Sequence, residues 1–170
     1  MSEAGAGAQE RIRALSGEII GLVAAQGGTL AVAESLTGGL LAAALTSVPG
    51  ASAVFRGGVV AYATDLKAAL LDVPSGLLER HGAVHPSVAE AMAQGARRRL
   101  CASAGAATTG VAGPDPQDGQ PVGTVYIAVS SAAGTAARHL ALSGDRQQIR
   151  EATVEAALTL LIGMLREDNI

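Results

Sequence analysis

Aromatic side chains are almost absent from this 170-residue chain, which has no tryptophan, one phenylalanine and two tyrosines. A core without rings must be assembled from Ala, Val, Leu and Ile, so Phe55, Tyr62 and Tyr126 each stand out. Cysteine is reduced to Cys101, which excludes an internal disulfide and a Cys-x-x-Cys metal pair. Its thiol is expected to be a buried apolar side chain in a reducing compartment. Positive charge is also scarce. Twelve Lys and Arg against 15 Asp and Glu leave a net charge of −3, the opposite of the basic excess by which nucleic-acid surfaces are recognised. No apolar run reaches the roughly 20 residues that cross a bilayer. The start, Met1-Ser2-Glu3-Ala4-Gly5, has no basic segment ahead of an apolar one, so a cytoplasmic protein without membrane or nucleic-acid partners is expected.

What is present suffices for one core: 49% of residues are hydrophobic, in a length typical of a single domain. Residues 1–8 read as a disordered N-terminal tail and 9–170 as one domain. Ile12, Leu15, Ile19, Leu22 and Val23 recur at helical spacing up to Gly27-Gly28. A strand then runs into Ser35, a helix spans Leu40–Leu45, and a strand spans Phe55–Ala63. Asp65–Leu71 reads as a short helix and Gly76–Arg80 as a turn, and a helix from Pro86 to about Cys101 starts near His85 or Ser87. Ala104–Val111 reads as a strand of small residues. Gly123–Ser131 and Thr135–Leu142 form a hairpin around Ala133-Gly134. A final helix over Asp145–Arg166 has Ile149, Ala152, Ala156, Leu160 and Met164 on one face. Helices alternating with strands, followed by a late hairpin, predict a three-layer α/β/α sandwich around a mixed, mostly parallel sheet.

The chemistry begins at Glu34-Ser35-Leu36-Thr37-Gly38-Gly39, where an apolar strand stops at a hydroxyl and a Gly pair opens a helix. A serine at such a tip either caps the helix or stands exposed as a nucleophile, with the following N–H groups placed to hold an anion. Tyr62, near the end of the next strand, and Lys67, in the first turn of the next helix, fall on the same rim of the sheet as Ser35. A lysine serves as base for a serine only if burial or nearby positive charge lowers its pKa. Tyr62 would relay the proton or hold the pair in register; the alternative makes Tyr62 a space filler and Lys67 a solvated helix residue. His81 and His85 flank a turn without carboxylate or thiol partners and read as helix-end hydrogen bonders, not metal ligands. Arg97-Arg98-Arg99 reads as a solvated face or a dimer rim.

Taken in order, Glu34 to Gly39, Arg56-Gly57-Gly58-Val59-Val60-Ala61-Tyr62 with Lys67, and His81-Gly82-Ala83-Val84 resemble the C-terminal domain of the competence/damage-inducible CinA family. Thr109-Gly110-Val111-Ala112-Gly113-Pro114, Pro121-Val122-Gly123-Thr124-Val125 and Ser143-Gly144-Asp145-Arg146 continue the resemblance, which covers residues 9–166, so the N-terminal pyrophosphatase domain of full-length members is not expected here. That family includes stand-alone nicotinamide-nucleotide amidohydrolases. The resemblance therefore implies hydrolysis of nicotinamide mononucleotide to nicotinate mononucleotide and ammonia, with Ser35, Tyr62 and Lys67 as the catalytic trio and no metal or organic cofactor. It also implies a substrate site that includes Thr37, Gly38, Gly39, Thr109, Gly110 and Arg146. Arg146 either grips the 5′-phosphate from the helix start or pairs with Asp145 or Glu151. Thr109 and Gly110 would meet ribose, phosphate or amide, or shape a turn. Two positions depart from the pattern: Leu142 stands where many members have Phe, and Leu36 replaces a common Cys. A non-catalytic pyridine-nucleotide module and an interaction protein of competence or DNA damage are the alternative readings. The Ala-rich helix faces are compatible with a homodimer.

Overall fold

Large and small apolar residues alternate in Leu30-Ala31-Val32-Ala33, and in a strand this sorts Leu30 and Val32 onto one face and Ala31 and Ala33 onto the other. The computed structural model describes residues 3–168 and builds on that alternation. Its elements are α1 (Glu3–Ala25), β1 (Leu30–Glu34), α2 (Leu40–Thr46), a 3-10 turn at Ala51–Ala53, β2 (Phe55–Val60), α3 (Thr64–Leu71), α4 (Ser75–His81) and α5 (Pro86–Arg99). Then follow β3 (Ala104–Gly110), β4 (Thr124–Ser130), β5 (Thr135–Ala141) and α6 (Arg146–Glu167).

The sheet has five strands in the order β2-β1-β3-β4-β5. β1 pairs in parallel with β2 and β3, while β4 is antiparallel to both β3 and β5. Only β4 runs against the rest, so the expected mixed and mostly parallel sandwich is the observed one. On the face of Leu30 and Val32, α1, α2 and α6 contribute Ile19, Val23, Leu41, Leu45, Leu158 and Leu161 to an aliphatic core. On the face of Ala31 and Ala33, Leu71 of α3 and Val88, Met92 and Ala96 of α5 cover alanines of the sheet. Small residues here let helices approach closely: a Cβ on Gly95 would lie 2.0 Å from the Leu71 carbonyl oxygen, so α3 and α5 meet backbone to backbone at that point.

Several expectations are corrected. Glu3 to Ala8 belong to α1 and are not a tail, since α1 continues N-terminally past the apolar stripe that marks it; residues 1–2 lie outside the described residues. Gly76–Arg80 lies inside α4. The buried stripe of α6 is Ile149, Thr153, Val154, Ala157, Leu158, Leu161, Ile162 and Leu165; Ala152, Ala156, Leu160 and Met164 are only half-buried beside it. Cys101 is exposed, just beyond α5, where the chain takes φ 51° to leave the helix. No described helix is long and apolar enough to cross a membrane.

Candidate active site

β1 ends where its polar residues begin, and Ser35 follows at once with its N–H donating to the Thr108 carbonyl on β3 at 3.0 Å. On the other side the Ala61 N–H donates to the Glu34 carbonyl at 2.9 Å, so the chain leaving β2 is tied beside the serine. From α3 the side chain of Lys67 turns inward and is 0% exposed. Its Nζ donates to the Ala61 carbonyl at 2.8 Å and lies 3.1 Å from Ser35 Oγ. Burial pushes the Lys67 ammonium down to about 8, and the charge of Asp118 pulls weakly the other way. Asp118 itself accepts the Ala83 N–H at 2.9 Å.

Tyr62 lies beyond the end of β2 and is 55% exposed. Its hydroxyl meets neither Ser35 nor Lys67. It accepts from Arg146 at 2.6 Å, and the same guanidinium donates to the Gly113 carbonyl. The expected trio is therefore a Ser–Lys pair plus a Tyr–Arg pair, because the lysine reaches the serine directly from beneath and leaves the tyrosine on the rim. Arg146 forms no ion pair with Asp145 or Glu151; Asp145 instead caps α6 in a capping box with Gln148.

The helix start behind Ser35 is not free for an anion. Buried Glu34 accepts the N–H groups of Gly39 at 3.0 Å, Leu41 at 3.0 Å and Ala42 at 2.8 Å, so an internal carboxyl group fills the N-terminus of α2. Gly38 and Gly39, at φ 58° and 100°, make the left-handed turn that brings those donors round to Glu34. The Gly38 N–H bonds the Ser35 carbonyl. Thr37 Oγ1 shares a hydrogen with Thr108 Oγ1 at 2.8 Å, and Thr109 Oγ1 donates to the Ala83 carbonyl at 2.7 Å. Thr37, Gly38 and Thr109 are thus each tied to another part of the protein, and Gly39 gives its N–H to Glu34. The N–H groups of Leu36 and Thr37 have no hydrogen-bond partner among the described residues. Leu36 lines the cavity at the serine, whereas Thr37 is fully buried.

A cavity of about 80 Å³ opens at the serine, with Leu36, Tyr62, Gly110, Asp115 and Arg146 among its walls. Larger hollows exist, including one of about 450 Å³ between β5 and α6, but Ser35 lines none of them. Arg150, one α6 turn beyond Arg146, donates to the Leu36 carbonyl at 3.0 Å and the Thr37 carbonyl at 2.8 Å, fixing the turn after the serine. Sequence reasoning missed Glu34, Asp118 and Arg150. The four-residue spacing of Arg146 and Arg150 was the available signal for one of them. His85 caps α5 by accepting the Ser87 N–H and stacks on His81 at 4.1 Å; no described cluster of His, Cys, Asp or Glu is arranged to hold a metal.

The model of the CinA C-terminal domain matches residues 12–165. The chain belongs to that family. A CinA-like protein of Frankia casuarinae is 55% identical over 151 residues, covering 89% of this chain and 35% of the relative. A putative competence-damage inducible protein of Desulforamulus reducens is 52% identical over 132 residues, 78% of this chain and 32% of that protein. This CinA C-terminal domain thus spans about a third of the length of the curated relatives it matches. Among solved structures, the competence/damage inducible protein CihA of Agrobacterium tumefaciens superposes with TM-score 0.87 at 38% identity, over 92% of this chain and 96% of its own. A CinA superfamily protein of Klebsiella pneumoniae gives TM-score 0.88 at 30% identity, over 92% and 99%.

Proposed function

We propose that the protein hydrolyses the carboxamide of nicotinamide mononucleotide to nicotinate mononucleotide and ammonia. The observation that carries this reading is the buried Lys67 amine 3.1 Å from Ser35 Oγ. A lysine with its pKa lowered to about 8 is neutral in about a tenth of molecules at pH 7, and a neutral amine accepts the serine proton across the same contact. Ser35 Oγ then bonds the amide carbon, and the oxyanion meets the free N–H of Leu36 in the cavity wall. Collapse breaks the C–N bond as Lys67 returns its proton to the departing nitrogen, giving ammonia and an acyl-serine. Water, deprotonated by the same lysine, adds to the acyl carbon and releases the acid with Ser35 restored. The guanidinium of Arg146, which donates to Tyr62 Oη at the rim, supports a reading in which it holds the nucleotide's phosphate.

The test is ammonia release from nicotinamide mononucleotide by the purified chain. Activity is expected in the wild type and loss of at least a thousandfold in Ser35→Ala, with an unchanged melting curve to within about 1 kcal/mol. Near-normal turnover by Ser35→Ala would overturn the covalent route.

A further inference from the structure

The cavity at Ser35 holds two opposite charges that do not neutralise one another. Arg146 and Asp115 both line it, and neither joins an ion pair within 4.0 Å among the described residues. The guanidinium is held by two uncharged oxygens, Tyr62 Oη and the Gly113 carbonyl. Asp115 is exposed and its carboxylate has no hydrogen-bond partner among the described residues, in contrast to Asp118 on the same loop, which is tied to the Ala83 N–H. The other side chains in the wall, from Ser35, Leu36, Tyr62, Val111, Ala112 and Gln117, carry no formal charge at neutral pH. An unpaired cation and an unpaired anion facing one small space favour a ligand that carries both charges over a ligand that carries either alone.

We propose that Asp115 is a specificity-determining residue that recognises the positive ring of an N-alkylated pyridinium carboxamide, making the substrate class of this site zwitterionic, with its anionic arm toward Arg146. The inference rests on the nicotinamide mononucleotide reading and deepens it. In that molecule the ring nitrogen is quaternary, the carboxamide sits on the same ring, and the phosphate supplies the negative charge. A cavity of about 80 Å³ admits one ring-sized group, well short of the roughly 300 Å³ of a pocket that encloses a whole drug-sized ligand. The amide therefore reaches Ser35 only together with the charged ring, and the ribose and phosphate lie outward along the rim formed by Tyr62 and Arg146.

The experiment compares two ligands that differ in ring charge: nicotinamide mononucleotide, and its 1,4-dihydro form, which keeps ribose and phosphate but has a neutral ring. Calorimetric titration in the Ser35→Ala background measures binding without turnover. With Asp115→Asn added, affinity for the cationic form is expected to fall about five- to tenfold, the scale of one partly solvated ion pair. The dihydro form should change by less than twofold, which also reports an intact site, and Asp115→Glu should retain most of the affinity for the cationic form. Equal losses for both ligands, or no loss for either, would overturn the inference while leaving the amidase reading in place. Failure of nicotinamide mononucleotide to bind with Asp115 intact, together with no ammonia release by the wild type, would remove the amidase reading and the inference with it.

Discussion

At the scale of the residue, Lys67 makes the sharpest statements. Its folded pKa lies near 8 and its ordinary value at 10.5, so the folded state binds fewer protons than the unfolded state between those values. Stability should therefore rise as pH is raised from about 8 to about 10.5, by at most about 3 kcal/mol from this group at about 1.4 kcal/mol per pKa unit. Lys67→Met should lack that gain in denaturant melts taken across the window, and an equal pH slope in both proteins would refute the burial argument. The same neutral fraction predicts that kcat/KM rises with pH through about 8 and then levels, and that Lys67→Arg, charged at every accessible pH, is nearly as inactive as Lys67→Met. Tyr62 makes a different prediction because its hydroxyl meets Arg146 and not the Ser–Lys pair. Tyr62→Phe should raise KM for the nucleotide several-fold with a smaller change in kcat, and Arg146→Ala should do the same more strongly, while the riboside, lacking phosphate, responds to neither. A collapse of kcat in Tyr62→Phe would return the tyrosine to the proton path.

At the scale of the element, the short helix α2 depends on a group outside itself. It is seven residues long, too short to persist alone, and its first N–H groups reach back to the Glu34 carboxyl. Glu34→Ala leaves these donors without acceptors in a buried setting, at about 1–3 kcal/mol for each one that water cannot reach. A loss of about 3 kcal/mol in chemical denaturation is expected, with Glu34→Gln, which keeps one acceptor oxygen, losing less. Because Ser35 is the next residue, both variants should also lower kcat. A melt unchanged by Glu34→Ala would mean that solvent readily replaces the internal cap.

At the scale of the whole molecule, the site lies where open α/β sheets bind ligands, at the carboxyl ends of parallel strands and at the point where the chain changes direction across the sheet. From β1 the chain crosses to β2 on one side and then to β3 on the other, and Ser35 stands at the end of β1, the strand between them. The last helix closes the arrangement. Arg150 ties α6 to the Leu36 and Thr37 carbonyls, 114 and 113 residues earlier in the chain. Those two carbonyls flank the peptide groups whose N–H donors are free, so Arg150→Met should release the turn and lower kcat about ten- to a hundredfold with little change in KM. Full kcat in this variant would show that β1 and α2 orient the turn without help from α6.

The sequence alone carried most of the elements and their order, though not α4 or the first turns of α1, since strand alternation such as Leu30-Ala31-Val32-Ala33, the helical spacing of Ile12 to Val23, and punctuation by Pro86 and Asp145 are set by neighbours a few residues away. It also carried Ser35 and Lys67, because a hydroxyl at a strand end and a lysine in the first turn of a later helix fall on one rim whenever the strands are parallel. Tertiary structure alone decided partners. Tyr62 went to Arg146, Thr109 to Ala83 and Thr37 to Thr108, and Glu34 took the helix end that the Gly pair had suggested was free. Hydrogen bonds of this kind join residues far apart in the chain, and which donor meets which acceptor depends on how closely the layers pack. The spacing of residues along the chain does not encode that distance.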